Sequence, residues 1–370
     1  MTGRRGLSSV NLTFLGTASA QPSLTRNHSA LALRLNSDVW LFDCGEATQH
    51  QVQRSKVKMG KIEKIFITHT HGDHIFGLLP LLAIDRIEDP RTHMIQNSSV
   101  PIEIYGPFGT RAYVRNGLKY THTLLGAPYV METIPPLPFM HPESLNGRNI
   151  PQTNGVWSDV YRDSIVSVSA APILHSVPCI GYVVTEAPVP GKMDPAKYIP
   201  HLKRTKTPMS VMNRLQQGES IELSDGTVLQ GPLKRPGRKL VILGDTYDPS
   251  PIAELASSAD LLIHEATNAH LPALDPHTKA EDTFESVEAR TKSRGHSTPQ
   301  MAGAFAARIG TRQLVLNHFS ARYPGNDDVD PTAKTIMEDI ARLAGEHYSG
   351  KIICARDFMS FDVDVPQEHA

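Results

Sequence analysis

Cysteine is scarce in this chain, at three in 370 residues. Cys44, Cys179 and Cys354 are odd in number, far apart and in no C-x-x-C pair, which excludes a disulfide framework or a thiolate zinc site and suits a reducing compartment. An excess of one charge is also missing, since the formal net charge is -1. No global basic field announces a nucleic-acid partner, so any such partner has to be met by a local patch. No apolar stretch is long enough to span a bilayer, and no signal-peptide core follows Met1. The expectation is a soluble, intracellular protein with no membrane partner, in the cytoplasm, the nucleus or both. Internal repeats and low-complexity tracts are lacking as well.

What is present is enough apolar residue, 40%, for a sizeable core. Short β-rich runs are expected at 11–16, 30–35, 39–43, 64–68 and 102–105, and again at 164–170, 180–186, 239–243, 260–263, 313–316 and 351–355. Helical patterns lie at 298–309 and 332–343, so the chain is α/β. Segments 85–99 and 126–163 are rich in Pro, Asn and polar residues and are expected to be insertions or long loops.

Four apolar runs end in a metal-ligating type of residue. Ile65-Phe66-Ile67 leads to His69, Leu240-Val241-Ile242-Leu243 to Asp245, Leu261-Leu262-Ile263 to His264-Glu265, and Leu314-Val315-Leu316 to His318. Strand ends present functional groups to a shared crevice, so the repeated pattern suggests one site. The densest part is Thr68-His69-Thr70-His71-Gly72-Asp73-His74. His69 and His71 alternate and can grip one ion, while Gly72 lets the chain bend so that Asp73 and His74 face a second position. A catalytic zinc keeps an open position for water, which makes hydrolysis the leading chemistry. Asp245, after a Gly turn, can bridge two cations with its two oxygens. His175 fits a ligand or a satisfied core histidine equally well.

His69-Thr70-His71-Gly72-Asp73-His74 resembles the signature of the metallo-β-lactamase superfamily. Gly244-Asp245-Thr246, His264-Glu265-Ala266-Thr267, Gly295-His296-Ser297-Thr298 and Asn317-His318-Phe319-Ser320-Ala321-Arg322-Tyr323 resemble its ribonuclease Z branch, as does Trp40-Leu41-Phe42-Asp43-Cys44-Gly45 near the start. The resemblance implies a four-layer αβ/βα sandwich of two mixed sheets flanked by helices, as a single domain over 1–370. It implies two Zn²⁺ per chain: His69, His71 and His175 for the first, Asp73, His74 and His318 for the second, and Asp245 between them. It further implies that Asp73 orients or deprotonates water, that His296 contacts the scissile phosphate or protonates the leaving oxygen, and that Glu265 holds the His296 ring. Ser297 or Thr298 should cap the following helix, with Gln300 completing a capping box from Ser297. The implied activity is a phosphodiester-hydrolysing endoribonuclease that trims the 3′ trailer of precursor transfer RNA after the discriminator base, in a homodimer.

Between Gly191 and Gly218 the chain holds Lys192, Lys197, Lys203, Arg204, Lys206 and Arg214 against Asp194 alone. Local positive charge of this kind holds phosphate backbones. By resemblance this is the substrate-binding arm, inserted at about 188–235, with Lys192, Lys203, Arg204, Lys206 and Arg214 as candidate contacts; a solvated face is the alternative. Two rival readings of the whole chain are a small-substrate metallo-hydrolase of the phosphodiesterase, lactonase or thioesterase type, and a catalytically silent RNA-binding relative.

Overall fold

Strands buried on both faces carry nearly continuous apolar runs, and this is how the sequence builds its two sheets. The computed structural model describes residues 6–84, 101–122, 129–134, 147–191 and 193–365. One seven-stranded sheet runs in the order Ser360–Asp362, Val10–Gly16, Ala30–Leu35, Asp38–Phe42, Ile62–Phe66, Ile102–Pro107, Tyr129–Ile134. The second runs Lys351–Cys354, Gln313–Asn317, Leu261–Glu265, Lys239–Ile242, Cys179–Glu186, Val166–Ile173, Trp157–Arg162. Both are mixed, with antiparallel and parallel pairs in each.

Side chains alternate across each strand and fill two kinds of interface. Between the sheets, Phe42, Phe66 and Tyr105 stack at 4.9 and 4.8 Å, with Leu240, Ile242 and Ile263 facing them in the same core. On the outer side of the first sheet, Leu41, Ile65 and Ile104 pack against Val52, Leu78, Leu81 and Val114 from helices Thr48–Arg54, Leu78–Ile84 and Thr110–Tyr120. On the outer side of the second, Val241, Leu262 and Leu314 meet Phe305 and Ile340 from helices Pro299–Ile309 and Pro331–Gly345. The result is a four-layer sandwich, two facing mixed sheets with helices outside each, as the resemblance implies.

Two expectations need correction. Segment 126–163, expected as loop, contributes the edge strands Tyr129–Ile134 and Trp157–Arg162. The pairing of Trp157–Arg162 shifts register between Trp157 and Tyr161, which breaks the two-residue alternation by which a strand is recognised. Segment 85–99 lies outside the described residues. The cap of Pro299–Ile309 is Thr298, whose side chain accepts from the Met301 backbone N–H, while Gln300 reaches Glu346 instead.

The excursion after the second sheet's Cys179–Glu186 is closed by pairing of Val189–Pro190 with Lys234–Arg235. It holds helix Pro195–Arg204, capped by Asp194, helix Met212–Gln216 and a hairpin of Ser220–Glu222 with Val228–Gln230. Tyr198, Leu202, Leu215, Ile221, Leu223 and Leu229 give it a small core of its own. Its root is clamped by a buried pair: Arg238 Nε sits 2.8 Å from Glu186 Oε2, and both side chains are 3% exposed. Arg238 also donates to the Leu7 and Val363 carbonyls, and Leu7 N–H donates to Glu186. Removing one partner of a buried pair leaves a charge uncompensated. Glu186→Gln is therefore expected to lower unfolding free energy by about 3 kcal/mol in urea titrations, and a value within error of the parent would show the clamp to be dispensable.

Candidate metal centre

Loops at the carboxyl ends of the parallel strands bring the candidate ligands and their polar partners to one crevice between the sheets. From the first sheet come Asp43, after Asp38–Phe42, and His69 to His74, after Ile62–Phe66. From the second come His175, Asp245, Glu265 and His318. Two close approaches make this possible. A Cβ on Gly244 would lie 2.6 Å from Thr68 Cβ and 2.7 Å from Cys179 Sγ, and one on Gly295, at φ +88°, would lie 2.6 Å from His175 Nδ1.

His69, His71, His175 and Asp245 form one cluster and Asp73, His74, Asp245 and His318 another, with the ligand atoms of each within 4.8 Å of one another. His69 Nε2 faces His71 Nδ1 at 3.1 Å, His175 Nε2 faces the same nitrogen at 3.3 Å, and His74 Nε2 faces His318 Nε2 at 3.1 Å. Zinc–nitrogen bonds of 2.0–2.1 Å in a tetrahedron give an edge of roughly 3.3 Å, so these spacings suit a shared cation. Asp245 sits between the clusters with its oxygens divided. Oδ2 is 3.7 Å from His69 and 3.9 Å from His175, whereas Oδ1 is 3.4 Å from His74 and 3.3 Å from His318.

The second layer of contacts sets which nitrogen each ring presents. His175 Nδ1 donates to the Gly295 carbonyl at 2.7 Å and His74 Nδ1 to Asp43 Oδ2 at 2.6 Å. His318 Nδ1 donates to Thr267 Oγ1 at 3.2 Å. In each case Nε2 is left with a lone pair aimed at the crevice. Asp43 also accepts from Thr68 N–H and Oγ1, so it fastens both the strand end and His74. Sequence reasoning gave Asp43 no role; its signal was a carboxylate directly following the apolar Trp40-Leu41-Phe42. Asp73 Oδ2 accepts from the Ala20 backbone N–H at 2.8 Å and lies 3.3 Å from His318 Nε2.

The electrostatics agree with a demand for positive charge. Burial, then the neighbouring His74, hold His69 neutral against the pull of Asp245. Burial opposes a charge on His74 too, yet Asp245 and Asp43 raise its pKa well above the usual value. A residue set this acidic and this rich in imidazole fits a divalent cation.

His296 and Glu265 stand beside the clusters. Glu265, 2% exposed, accepts from Thr246 and Ser297 N–H and pairs with His296 Nδ1 at 3.1 Å. Burial alone would lower the His296 pKa, but Glu265 and Asp245 raise it to about 9. His296 comes just before the capped start of Pro299–Ile309, a position that favours an anion.

The arm's candidates do not join this crevice. Lys203 and Lys206 are exposed, and Lys192 lies outside the described residues. Arg204 pairs with Asp225 and Arg214 with Glu219, at 2.8 Å for the latter. Both acids lie beyond Gly218, on the segment that folds back onto the helices.

Comparison with known proteins places the chain. A family model described as Anti-Pycsar protein Apyc1 matches residues 10–98. The chain is 34% identical over 364 residues to ribonuclease Z of Prochlorococcus marinus (strain MIT 9313), covering 96% of this chain and 98% of the relative. It is 38% identical over 345 residues to zinc phosphodiesterase ELAC protein 1 of Bos taurus, covering 85% and 87%. It superposes on the crystal structure of human tRNase Z, short form (ELAC1), with a TM-score of 0.63 and 30% identity, over 96% of this chain and all of that one. The Prochlorococcus relative and the human structure each match 96% of this chain.

Losing a residue that orients a metal-bound imidazole typically lowers metal affinity 10- to 100-fold. Asp43→Asn should therefore weaken zinc retention by about that factor in chelator competition, with circular dichroism unchanged. Parent-like retention would show that the His74–Asp43 contact does not tune the ligand.

Proposed function

The chain belongs to the ribonuclease Z family, and on that premise we propose that it is a zinc-dependent endoribonuclease removing the 3′ trailer of precursor transfer RNA. The observation that carries this reading is the division of Asp245 between two histidine clusters, with the His296–Glu265 pair alongside. His69, His71 and His175 would hold one zinc, Asp73, His74 and His318 a second, and Asp245 both. Two such cations supply Lewis acidity and a nucleophile at neutral pH for in-line phosphoryl displacement.

The residues of the chain divide the remaining work. Asp73, fixed by Ala20 N–H, orients the attacking water and takes its proton. Water oxygen bonds to phosphorus as the bond from phosphorus to the 3′ oxygen breaks. His296, charged through Glu265, presents Nε2 to protonate that oxygen, leaving a 3′ hydroxyl on the transfer RNA and a 5′ phosphate on the trailer. The cut falls after the discriminator base in this reading.

We extend the proposal to the organisation of the molecule. Residues 1–370 act as one catalytic domain, and the self-packed excursion at about 188–235 is the arm that holds the RNA body through its unpaired lysines, Lys203 and Lys206. The working form is a homodimer in the cytoplasm or nucleus. Free Cys44, Cys179 and Cys354 suit a reducing compartment. No helix of the described residues is long and apolar enough to cross a membrane.

The test is cleavage of a 3′-extended precursor transfer RNA by purified protein, with product ends mapped and His69→Ala as control. A zinc-dependent cut beside the discriminator base is expected; a folded, zinc-loaded protein that makes no cut would refute the reading. His296→Ala should lower kcat by about 10²–10⁴ while keeping its zinc. Deleting residues 191–233 should raise KM for the precursor and leave hydrolysis of bis(4-nitrophenyl) phosphate intact. An unchanged KM would remove the arm from the substrate path.

A further inference from the structure

A second cationic surface lies at the end of the sandwich away from the metal centre. A groove of about 510 Å³ on the outer side of the first sheet is lined by Arg34, Lys56, Lys58 and Lys61, with Asp362 as its carboxylate. All four cations are exposed, and none forms an ion pair among the described residues. Arg34 is steadied by donating to the Asn36 carbonyl, and Asp362 accepts from the Asn11 side chain at 2.9 Å. In a chain whose net charge is -1, four cations around one carboxylate form a marked local field.

The position of the groove is as informative as its charge. Lys61 precedes the strand Ile62–Phe66 that ends beside His69, so the two places are roughly 26 Å apart along an extended chain. The root of the arm lies at the groove's end of the molecule. Asn36, which lines the groove, accepts from Ser8 and Ser9 N–H, and the adjoining Leu7 is tied to Glu186 and Arg238 at the arm's root. Groove and arm are thus joined through three consecutive residues and a buried ion pair.

The lining also says what kind of polyanion fits. Beside the cations stand Thr13, Ser37, Ser360 and the amides of Asn11 and Asn36, which match phosphate and ribose oxygens. No aromatic side chain lines it, so unstacked bases find no platform there. Helical RNA, recognised by its backbone, meets these terms.

We propose that the groove of Arg34, Lys56, Lys58 and Lys61 is a second phosphate-binding surface that extends the arm and holds the helical body of the RNA substrate. The inference rests on the reading of the protein as an RNA-cleaving enzyme. It assigns these residues to binding at a distance, with no part in the chemical step.

The test replaces Lys56, Lys58 and Lys61 together with serine and follows precursor transfer RNA cleavage from low to high salt, with bis(4-nitrophenyl) phosphate as the small diester. Each lost phosphate contact removes about 0.7–0.9 from the slope of log affinity against log salt. The expected result is a slope shallower by about 2, a KM raised by about tenfold at physiological salt, and an unchanged kcat and small-diester rate. An active triple variant with the parent's slope and KM overturns the groove assignment alone. A parallel loss on the small diester also overturns it, since the lysines would then act through the fold. A parent protein that neither binds nor cuts the precursor overturns the reading of function beneath it and the groove with it.

Discussion

Ring nitrogens facing one another at 3.1 Å around the buried carboxylate of Asp245 are the constraint on which the rest of the structure depends. Two lone pairs pointed together repel, and a buried carboxylate among neutral acceptors is costly. Only a proton or a cation between them makes the arrangement stable. The raised pKa of His74 shows how strongly Asp245 and Asp43 call for positive charge. Such a cluster can be assembled only if the scaffold holds each member rigidly, and the two sheets do this by ending four strands at one crevice. The apolar layers behind those ends are therefore part of the site's chemistry, because they pay the cost of holding the ligands together.

Rigidity at the crevice comes from a ring of polar partners outside the ligands. Gly295 O, Asp43 and Thr267 each take the Nδ1 proton of one histidine and leave Nε2 to the interior. His71 differs, since its Nδ1 is the inward nitrogen, facing both His69 and His175. Glu265 links the ring to the outlying His296 through Thr246, Thr267 and Ser297. His318 adopts φ +55°, a left-handed conformation that costs a non-glycine residue energy. Asp73 Oδ2 and Asp245 Oδ1 each lie 3.3 Å from its ring Nε2 and hold the side chain that this turn presents.

Much of this was legible in the sequence because the same physics writes both. Leu240-Val241-Ile242 and Leu261-Leu262-Ile263 are apolar on every residue because parallel strands are covered on both faces, and a polar residue at their ends stands out. The His69–His74 segment is dense enough to declare a metal by itself. Asp43 escaped because a single carboxylate after a strand is an ordinary terminator; its function appears only when His74, 31 residues later, comes within 2.6 Å. Trp157–Arg162 escaped because its bulge removes the alternation. The charge of the arm was overstated for a related reason. Asp225 is 21 residues from Arg204 and meets it only once the hairpin closes, and Glu219, just past Gly218, turns back onto Arg214.

That last neutralisation bears on how a long RNA could be held. With Arg204 and Arg214 engaged internally, the arm's own field is carried by fewer side chains than its composition suggests. Surface ion pairs of this kind add little to stability, so their main effect is to reduce the positive potential the arm projects. A polyanion engaging the arm alone would meet chiefly its lysines, Lys197, Lys203, Lys206 and Lys234 among the described residues. Cations elsewhere on the same rigid body would add to the counterions released and so to the salt-sensitive part of binding. The buried Glu186–Arg238 pair supplies the mechanical condition for that, since it fixes the arm's root to both Leu7 and Val363. A surface divided between arm and sheet can act as one only when the joint between them does not give, and this joint is the most deeply buried ion pair outside the metal centre among the described residues.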